Sequence, residues 1–203
     1  LIDNSHCQKN HWATKAVLGP GTGLGVSGLI YKNKTWCALQ GEGGNVALPI
    51  TSDFQFEVYK ILKKDFPDYV YAETVFSGQG LVRLANAMKN IYGWDFSVQS
   101  PAELTEKILN EDNYYAKLVM HEFIHWFSIM AGDLALTVGS TGGVYIGGGI
   151  FPRLCDVMHL WNWSYGFQNK GRYKKYLQNI PLYLIKDSVN APLQGALALV
   201  RDI

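Results

Sequence analysis

The sequence has few cysteines, no excess of charge of either sign and no long apolar run, and each shortage excludes a class of protein. Its three cysteines, Cys7, Cys37 and Cys155, are odd in number and widely spaced, which does not suggest a disulfide framework. A net charge of +1 argues against a nucleic acid or a membrane surface as the main partner. No run of about 18 apolar residues is present to span a bilayer, and Leu1 onward lacks the pattern of a signal peptide. We therefore expect a protein of the reducing cytoplasm.

The first half of the sequence predicts strands followed by helices. Strand-like runs separated by polar or glycine-rich turns occupy residues 16–19, 26–31 and 35–39. Apolar residues then recur at helical spacing in four segments, which begin near Thr51, Ser77, Ser100 and Ala116. The sequence Ser100-Pro101-Ala102-Glu103 predicts a capping box at the start of the third helix. The fourth predicted helix is long and has one apolar face.

The second half alternates between strand and helix patterns. Residues 144–146 form a short apolar run before a glycine cluster, and helical spacing resumes at Ile150. A last strand is predicted over residues 181–186 and a last helix over residues 190–200. This alternation predicts a mixed α/β domain. The chain does not begin with Met, and we expect it to be part of a longer protein.

Two glycine clusters are candidate anion sites. In Gly21-Thr22-Gly23 the glycines let backbone N–H groups approach an anion closely, and Thr22 can donate its hydroxyl. Because strand-like sequence follows, the cluster fits neither a dinucleotide fingerprint nor a P-loop, and a tight turn without a ligand is an alternative. Gly147-Gly148-Gly149 lies between a predicted strand and a predicted helix, where free N–H groups and the helix dipole suit a phosphate or nucleotide. Close packing of helix on strand is the alternative there.

Two glutamates lie in or beside glycine-rich segments. Glu42 is followed by Gly43, Gly44 and Asn45, and Glu73 precedes the sequence Ser77-Gly78-Gln79-Gly80. Carboxylates held by such loops are suited to accept hydrogen bonds from the vicinal hydroxyls of a sugar. Taken singly, either glutamate can also be a solvated surface charge.

Four segments, taken in order, resemble the C-terminal part of the bacterial glucokinases. They are residues 19–25, 41–44, 72–81 and 142–153, and the similarity continues through residues 169–174 and 180–185. The resemblance implies an α/β fold of the ribonuclease-H-like, actin-like ATPase type, with a mixed sheet, flanking helices and a helical insertion. Residues 1–203 would be the single large, C-terminal lobe of a sugar kinase whose two lobes close over glucose and ATP.

The resemblance also assigns roles to the candidate residues. The second phosphate-binding turn would be formed by Gly21, Thr22 and Gly23. Part of the adenosine site would be formed by Gly147, Gly148 and Gly149. Sugar hydroxyls would be bound by Glu42, Asn45 and Glu73. The family usually has histidine at the position of Asn45, whose amide is shorter and differently placed, so the choice between glucose and a related hexose stays open.

The resemblance implies that the catalytic base of the kinase lies outside this sequence. The family places a first phosphate motif, Asp-x-Gly-Gly-Thr, and a catalytic aspartate in an Asn-Asp pair ahead of the point where this sequence starts. That aspartate is expected to accept the proton of the sugar 6-hydroxyl, while Mg²⁺ stabilises charge on the transferring phosphoryl group. We therefore assign no catalytic residue and no metal ligand in this chain. We expect the full-length protein to make glucose 6-phosphate for glycolysis, and these residues alone to be inactive.

The sequence His121-Glu122-Phe123-Ile124-His125 offers a rival interpretation. It matches the H-E-x-x-H pattern of zinc metalloproteases, in which two histidines bind zinc and the glutamate acts as a base. A catalytic zinc needs a third protein ligand, and no glutamate follows Glu122 in this sequence. Ser128 and Ala131 also occupy the glycine and histidine positions of the extended motif. We therefore disfavour a metalloprotease.

A sugar-binding sensor or regulator, or a degenerate kinase on the same scaffold, is a second alternative. The three cysteines cannot form the cysteine-rich zinc loop of related repressors, and no helix-turn-helix segment is visible. The basic, aromatic residues 165–176 are more typical of a solvated helix face than of a nucleic-acid contact. Family members are commonly homodimers, so we expect a homodimer. The long helix with Trp126 and Phe127 is a candidate interface, although an apolar helical face is more often part of the core.

Overall fold

Five strands in the described part of the chain form one mixed sheet. The structure is a computed structural model that describes residues 10–188 and 190–201, so Cys7 lies outside the described residues. The strands are β1 (Lys15–Pro20), β2 (Leu24–Lys32), β3 (Thr35–Leu39), β4 (Val144–Ile146) and β5 (Leu182–Leu184). Their order in the sheet is β3-β2-β1-β4-β5. The pairs β1–β2 and β2–β3 are antiparallel, whereas β1–β4 and β4–β5 are parallel.

Helices account for most of the remaining described residues. They are α1 (Asp53–Asp65), α2 (Ala72–Val75), α3 (Gly78–Tyr92), α4 (Pro101–Leu109), α5 (Tyr114–Val138), α6 (Trp163–Gln168), α7 (Lys174–Leu177) and α8 (Ala191–Arg201). Short 3₁₀ turns cover residues 43–45, 151–154, 158–160 and 171–173. Within the described residues, no helix combines the length and the apolar character needed to cross a membrane.

The helix boundaries follow the caps in the sequence. The hydroxyls of Ser52, Ser77 and Ser100 accept hydrogen bonds from backbone N–H groups of the first turns of α1, α3 and α4. Left-handed glycines at Gly93 and Gly139 end α3 and α5. The predicted capping box at α4 is half correct, because the Glu103 carboxylate accepts from the N–H of Gln99 rather than from that of Ser100.

The helix predicted from Ile150 onward is wrong. Residues 151–154 and 158–160 form two separate 3₁₀ turns instead. The buried apolar residues there are Phe151, Leu154, Met158 and Trp161. Pairs three residues apart fall on one side of a 3₁₀ turn as well as on one side of an α-helix, so the spacing did not distinguish the two. The glycine cluster at residues 147–149 therefore does not lie at the N-terminus of an α-helix.

The long helix α5 runs through the core. We expected one apolar face, but its middle is buried on several sides, and α6 packs closely along it. Trp126 and Phe127 are completely buried within the chain, and both pack edge-on against Phe76. The indole N–H of Trp126 donates to the carbonyl of Pro49. These two side chains therefore belong to the core and not to a dimer surface, as is more usual for an apolar helical face.

Candidate functional site

The turn between β1 and β2 contains the first glycine cluster. The N–H of Gly21 donates to the carbonyl of Gly23 at 2.7 Å, which tightens the turn, and Thr22 is exposed at its tip. The carbonyl of Gly21 accepts from the N–H of Gly78, also at 2.7 Å. The start of α3 is thus hydrogen-bonded to the turn and leaves Thr22 exposed.

The glycine cluster after β4 lies against this turn. Because β1 and β4 are parallel neighbours, their carboxyl ends meet at one edge of the sheet, and the N–H of Gly147 donates to the carbonyl of Leu18 at 2.7 Å. Gly148 has a φ of +79°, and a Cβ there would lie 2.1 Å from the carbonyl oxygen of Pro20. Among the described residues, none accepts a hydrogen bond from the N–H of Gly148 or Gly149. Two backbone donors are thus left for a ligand.

The loop that carries Glu42 and Asn45 packs on the start of β2. A Cβ on Gly44 would lie 2.3 Å from the carbonyl oxygen of Leu24, so this approach requires glycine. The N–H of Asn45 donates to the carbonyl of Glu42 at 3.0 Å, which closes a single 3₁₀ turn. The side chains of Glu42 and Asn45 are both exposed. The packed glycines therefore present a carboxylate and an amide to solvent.

An open cleft of about 630 Å³ joins several of these features. Its lining includes Gly19, Leu24, Glu42, Gly147 and Gly148 together with the start of α8. Three of the predicted site residues thus line one cavity, although Glu42 precedes Gly147 and Gly148 by more than a hundred residues. The other predicted site residues are not among those that line it: Gly21, Thr22, Gly23, Asn45, Glu73 and Gly149.

Glu73 also contacts the first glycine turn. It lies in the first turn of α2, and its Oε2 accepts a hydrogen bond of 2.6 Å from the N–H of Leu24. A Cβ on Gly23 would lie 2.5 Å from the same oxygen. The sequence prediction placed Glu73 among sugar ligands and missed this contact, because the two partners are 49 residues apart and no local pattern links them.

The sequence comparisons identify the family of the chain. A family model described as glucokinase matches residues 2–203. The chain belongs to the glucokinase family. A glucokinase from Neisseria gonorrhoeae is 38% identical to it over 174 residues, which are 86% of this chain and 53% of that protein. The chain thus spans about half the length of the curated glucokinases that it matches.

Solved structures agree with this assignment to the glucokinases. The crystal structure of a glucokinase from an Antarctic psychrotroph superposes with a TM-score of 0.86 at 32% identity, covering 97% of this chain and 60% of that one. A glucokinase of the ROK family from Streptomyces griseus, solved with glucose and AMPPNP, has a TM-score of 0.61 at 17% identity and covers 96% and 62%. The second likeness concerns the fold alone. The expected actin-like sugar kinase fold is confirmed.

The H-E-x-x-H sequence lies away from the cleft that Glu42 lines. His121 and His125 are one turn apart on α5 and line a separate cavity of about 420 Å³ with Glu122 and Tyr165. Burial lowers the pKa of His125, and the neighbouring Glu122 carboxylate partly opposes this effect. Within the described residues, no group of three histidine, cysteine, aspartate or glutamate side chains can hold a metal ion. The third ligand that a zinc peptidase requires is therefore missing from this part of the chain.

Proposed function

We propose that residues 1–203 are the large C-terminal lobe of an ATP-dependent glucokinase that phosphorylates glucose or a related hexose. The observation that carries the proposal is the meeting of the end of β1, the start of β2, the Glu42 loop and Gly147–Gly148 around one cleft. The glucokinase relatives, and the glucose and AMPPNP in the complex from Streptomyces griseus, support this assignment. We further propose that the full-length protein works in glycolysis in the cytoplasm, as a homodimer.

In this proposal Glu42, Asn45 and Glu73 bind the sugar. Exposed carboxylate oxygens accept hydrogen bonds from vicinal hydroxyls, and an amide both donates and accepts. The three side chains are carried by the Glu42 loop and by α2, which are joined by the hydrogen bond of 2.8 Å from the N–H of Ala72 to the carbonyl of Val46. The sugar would therefore contact two elements that form one rigid support.

The nucleotide would lie along the glycine clusters. The close backbone approach at Gly148 and the unused N–H groups of Gly148 and Gly149 fit an anionic or polar ligand. We assign the phosphates to Gly21, Thr22 and Gly23, and part of the adenosine to Gly147, Gly148 and Gly149. The described residues do not form a metal site by themselves, so Mg²⁺ would enter with the phosphates of the nucleotide.

The proposed reaction transfers the γ-phosphoryl group of ATP to the sugar. The oxygen of the 6-hydroxyl bonds to the γ-phosphorus, the bond from that phosphorus to the bridging oxygen of ADP breaks, and the hydroxyl proton passes to a base. We assign that base to an aspartate outside this chain. The residues of this chain hold the sugar and the phosphates in line, and such positioning supplies much of the rate of phosphoryl transfer.

Steady-state kinetics of the full-length protein test the proposal. We expect glucose-dependent release of ADP, and we expect Glu42→Gln to raise the KM for glucose by roughly tenfold or more, because a charge-assisted hydrogen bond contributes about 1.5–3 kcal/mol. Glu57→Gln is the matched control, since Glu57 is exposed on α1 and pairs only with Lys60 among the described ion pairs. Its kinetics should equal those of the unmodified protein.

Two outcomes would count against the proposal. Sugar binding without ADP release by the full-length protein would favour a sensor or degenerate kinase. Equal effects of Glu42→Gln and Glu57→Gln on the KM for glucose would remove Glu42 from the sugar site.

A further inference from the structure

Glu73 pairs with a backbone group of a distant segment rather than with a basic side chain. None of the ion pairs among the described residues includes it. Its Oε2 instead accepts from the backbone N–H of Leu24, at a distance of 2.6 Å. A hydrogen bond from a neutral donor to a carboxylate is stronger than one between two neutral groups. The carboxylate therefore fixes the backbone at the end of the β1–β2 turn.

The turn is shaped to receive this carboxylate. A Cβ on Gly23 would lie 2.5 Å from Oε2 but 3.5 Å from Oε1 of Glu73, so the glycine leaves room for the contact and Oε2 is the nearer oxygen. The next peptide group is also enclosed, since a Cβ on Gly44 would lie 2.3 Å from the carbonyl oxygen of Leu24. Leu24 is thus held by Glu73 at its N–H and by the Glu42 loop at its carbonyl.

The backbone around Glu73 is fixed by buried neighbours and by hydrogen bonds. Its neighbours Ala72 and Thr74 are buried, and the hydroxyl of Thr74 accepts from the N–H of Tyr71 at 3.3 Å. The side chain of Arg83 on α3 donates to the carbonyl of Thr74 at 3.1 Å. We therefore expect a ligand that reorients the Glu73 carboxylate to displace the β1–β2 turn rather than α2.

We propose that Glu73 is a positioning residue that couples sugar binding to nucleotide binding, with Oε2 holding the N–H of Leu24 while Oε1 accepts from a sugar hydroxyl. This inference rests on the proposed function, because it requires sugar at Glu73 and phosphate at residues 21–23. A sugar that orients the carboxylate fixes the turn in the form that binds phosphate. By linkage, ATP then tightens sugar binding by the same factor.

Titration of the full-length protein with AMPPNP, with and without saturating glucose, tests the coupling. We expect glucose to tighten AMPPNP binding at least about fivefold in the unmodified protein, the lower end of typical coupling. In Glu73→Ala the factor should fall to about one, because the link from sugar to turn is gone. Gly23→Ala should have the same effect, since the added methyl group displaces a carboxylate that is itself intact.

Glu42→Ala is the matched control for sugar contact without contact to the turn. It should weaken glucose binding, yet at saturating glucose it should keep the coupling factor of the unmodified protein. Equal loss of coupling in Glu42→Ala and Glu73→Ala would overturn the proposal, because Glu73 would then be an ordinary sugar ligand. Absence of coupling in the unmodified protein would overturn it as well.

Hydrogen exchange at the Leu24 amide separates this proposal from the proposed function. Without any ligand, Glu73→Ala should speed exchange at Leu24 at least about tenfold, whereas Glu73→Gln should restore much of the protection, because its amide oxygen can still accept. Unchanged exchange in Glu73→Ala would show that the bond does not hold the turn, whatever the enzymatic activity. If exchange at Leu24 instead responds to the substitutions as expected, but the full-length protein has no glucokinase activity, the hydrogen bond between Leu24 and Glu73 is supported and the proposed function is contradicted.

Discussion

At the scale of single residues, the candidate site depends on glycines that allow another segment to approach the backbone closely. Gly44 approaches the carbonyl of Leu24, Gly148 approaches the carbonyl of Pro20, and Gly23 makes room for Glu73. Gly148 alone of these three also has a φ in the left-handed region, at +79°. The sequence showed where the glycines cluster, but it could not show which of them are in contact with another segment.

Gly148→Ala should destabilise the protein strongly. The added methyl group would lie 2.1 Å from the carbonyl oxygen of Pro20, and the left-handed backbone adds strain of about 1–3 kcal/mol. Gly149→Ala is the matched control, since a Cβ there meets nothing within 4 Å. Urea unfolding should give a loss of at least about 2 kcal/mol for Gly148→Ala and within about 0.5 kcal/mol for Gly149→Ala. Equal losses would contradict the close contact between Gly148 and Pro20.

At the scale of elements, most strands and helices followed from local pattern. The strands β1 to β3 and the helices α1, α3, α4 and α5 were predicted because caps and apolar spacing agree there. The short helix α2 was not predicted, since four residues contain too little periodicity. The sequence predicts one solvated helix face over residues 165–176, but these residues contain the end of α6, a 3₁₀ turn and the start of α7. Phe167 is buried there, and Lys170 pairs with Asp133 of α5 at 2.6 Å.

The packing of α5 against α6 predicts a pH dependence of stability. His125 on α5 is half-buried beside Tyr165 of α6, with ring centroids 5.4 Å apart, and burial lowers its pKa below the ordinary 6.5. His121, Glu122 and Tyr92 line the same cavity, and the Glu122 carboxylate opposes part of the shift. Because the folded protein binds this proton less readily than the unfolded chain, the contribution of His125 to stability is complete above about pH 6.5 and is lost as the pH falls below it.

Urea unfolding at pH 7.5 and pH 5.5 measures this effect. The free energy of unfolding should fall between the two pH values, and His125→Gln should reduce that fall. His121→Gln is the matched control on the same helix, since the His121 side chain is 48% exposed. A pH dependence that is reduced equally by both substitutions would contradict the account.

At the scale of the whole molecule, the candidate site is assembled by the sheet. The parallel pairing of β1 with β4 brings residues 19–25 and 147–149 to one edge, although more than a hundred residues separate them. The family resemblance predicted that these clusters share a site. It did not predict the bond between Leu24 and Glu73 or the absence of an α-helix after Gly149, because neither leaves a signal in local sequence.

The central proposal is that this chain supplies the sugar and nucleotide contacts of a glucokinase, whereas the base lies outside it. Glucose-dependent release of ADP, measured in parallel on the full-length protein and on residues 1–203 alone, tests this claim most directly. We predict steady turnover by the full-length protein and none by residues 1–203. Comparable turnover by both would contradict the claim, because the base would then have to lie within these residues.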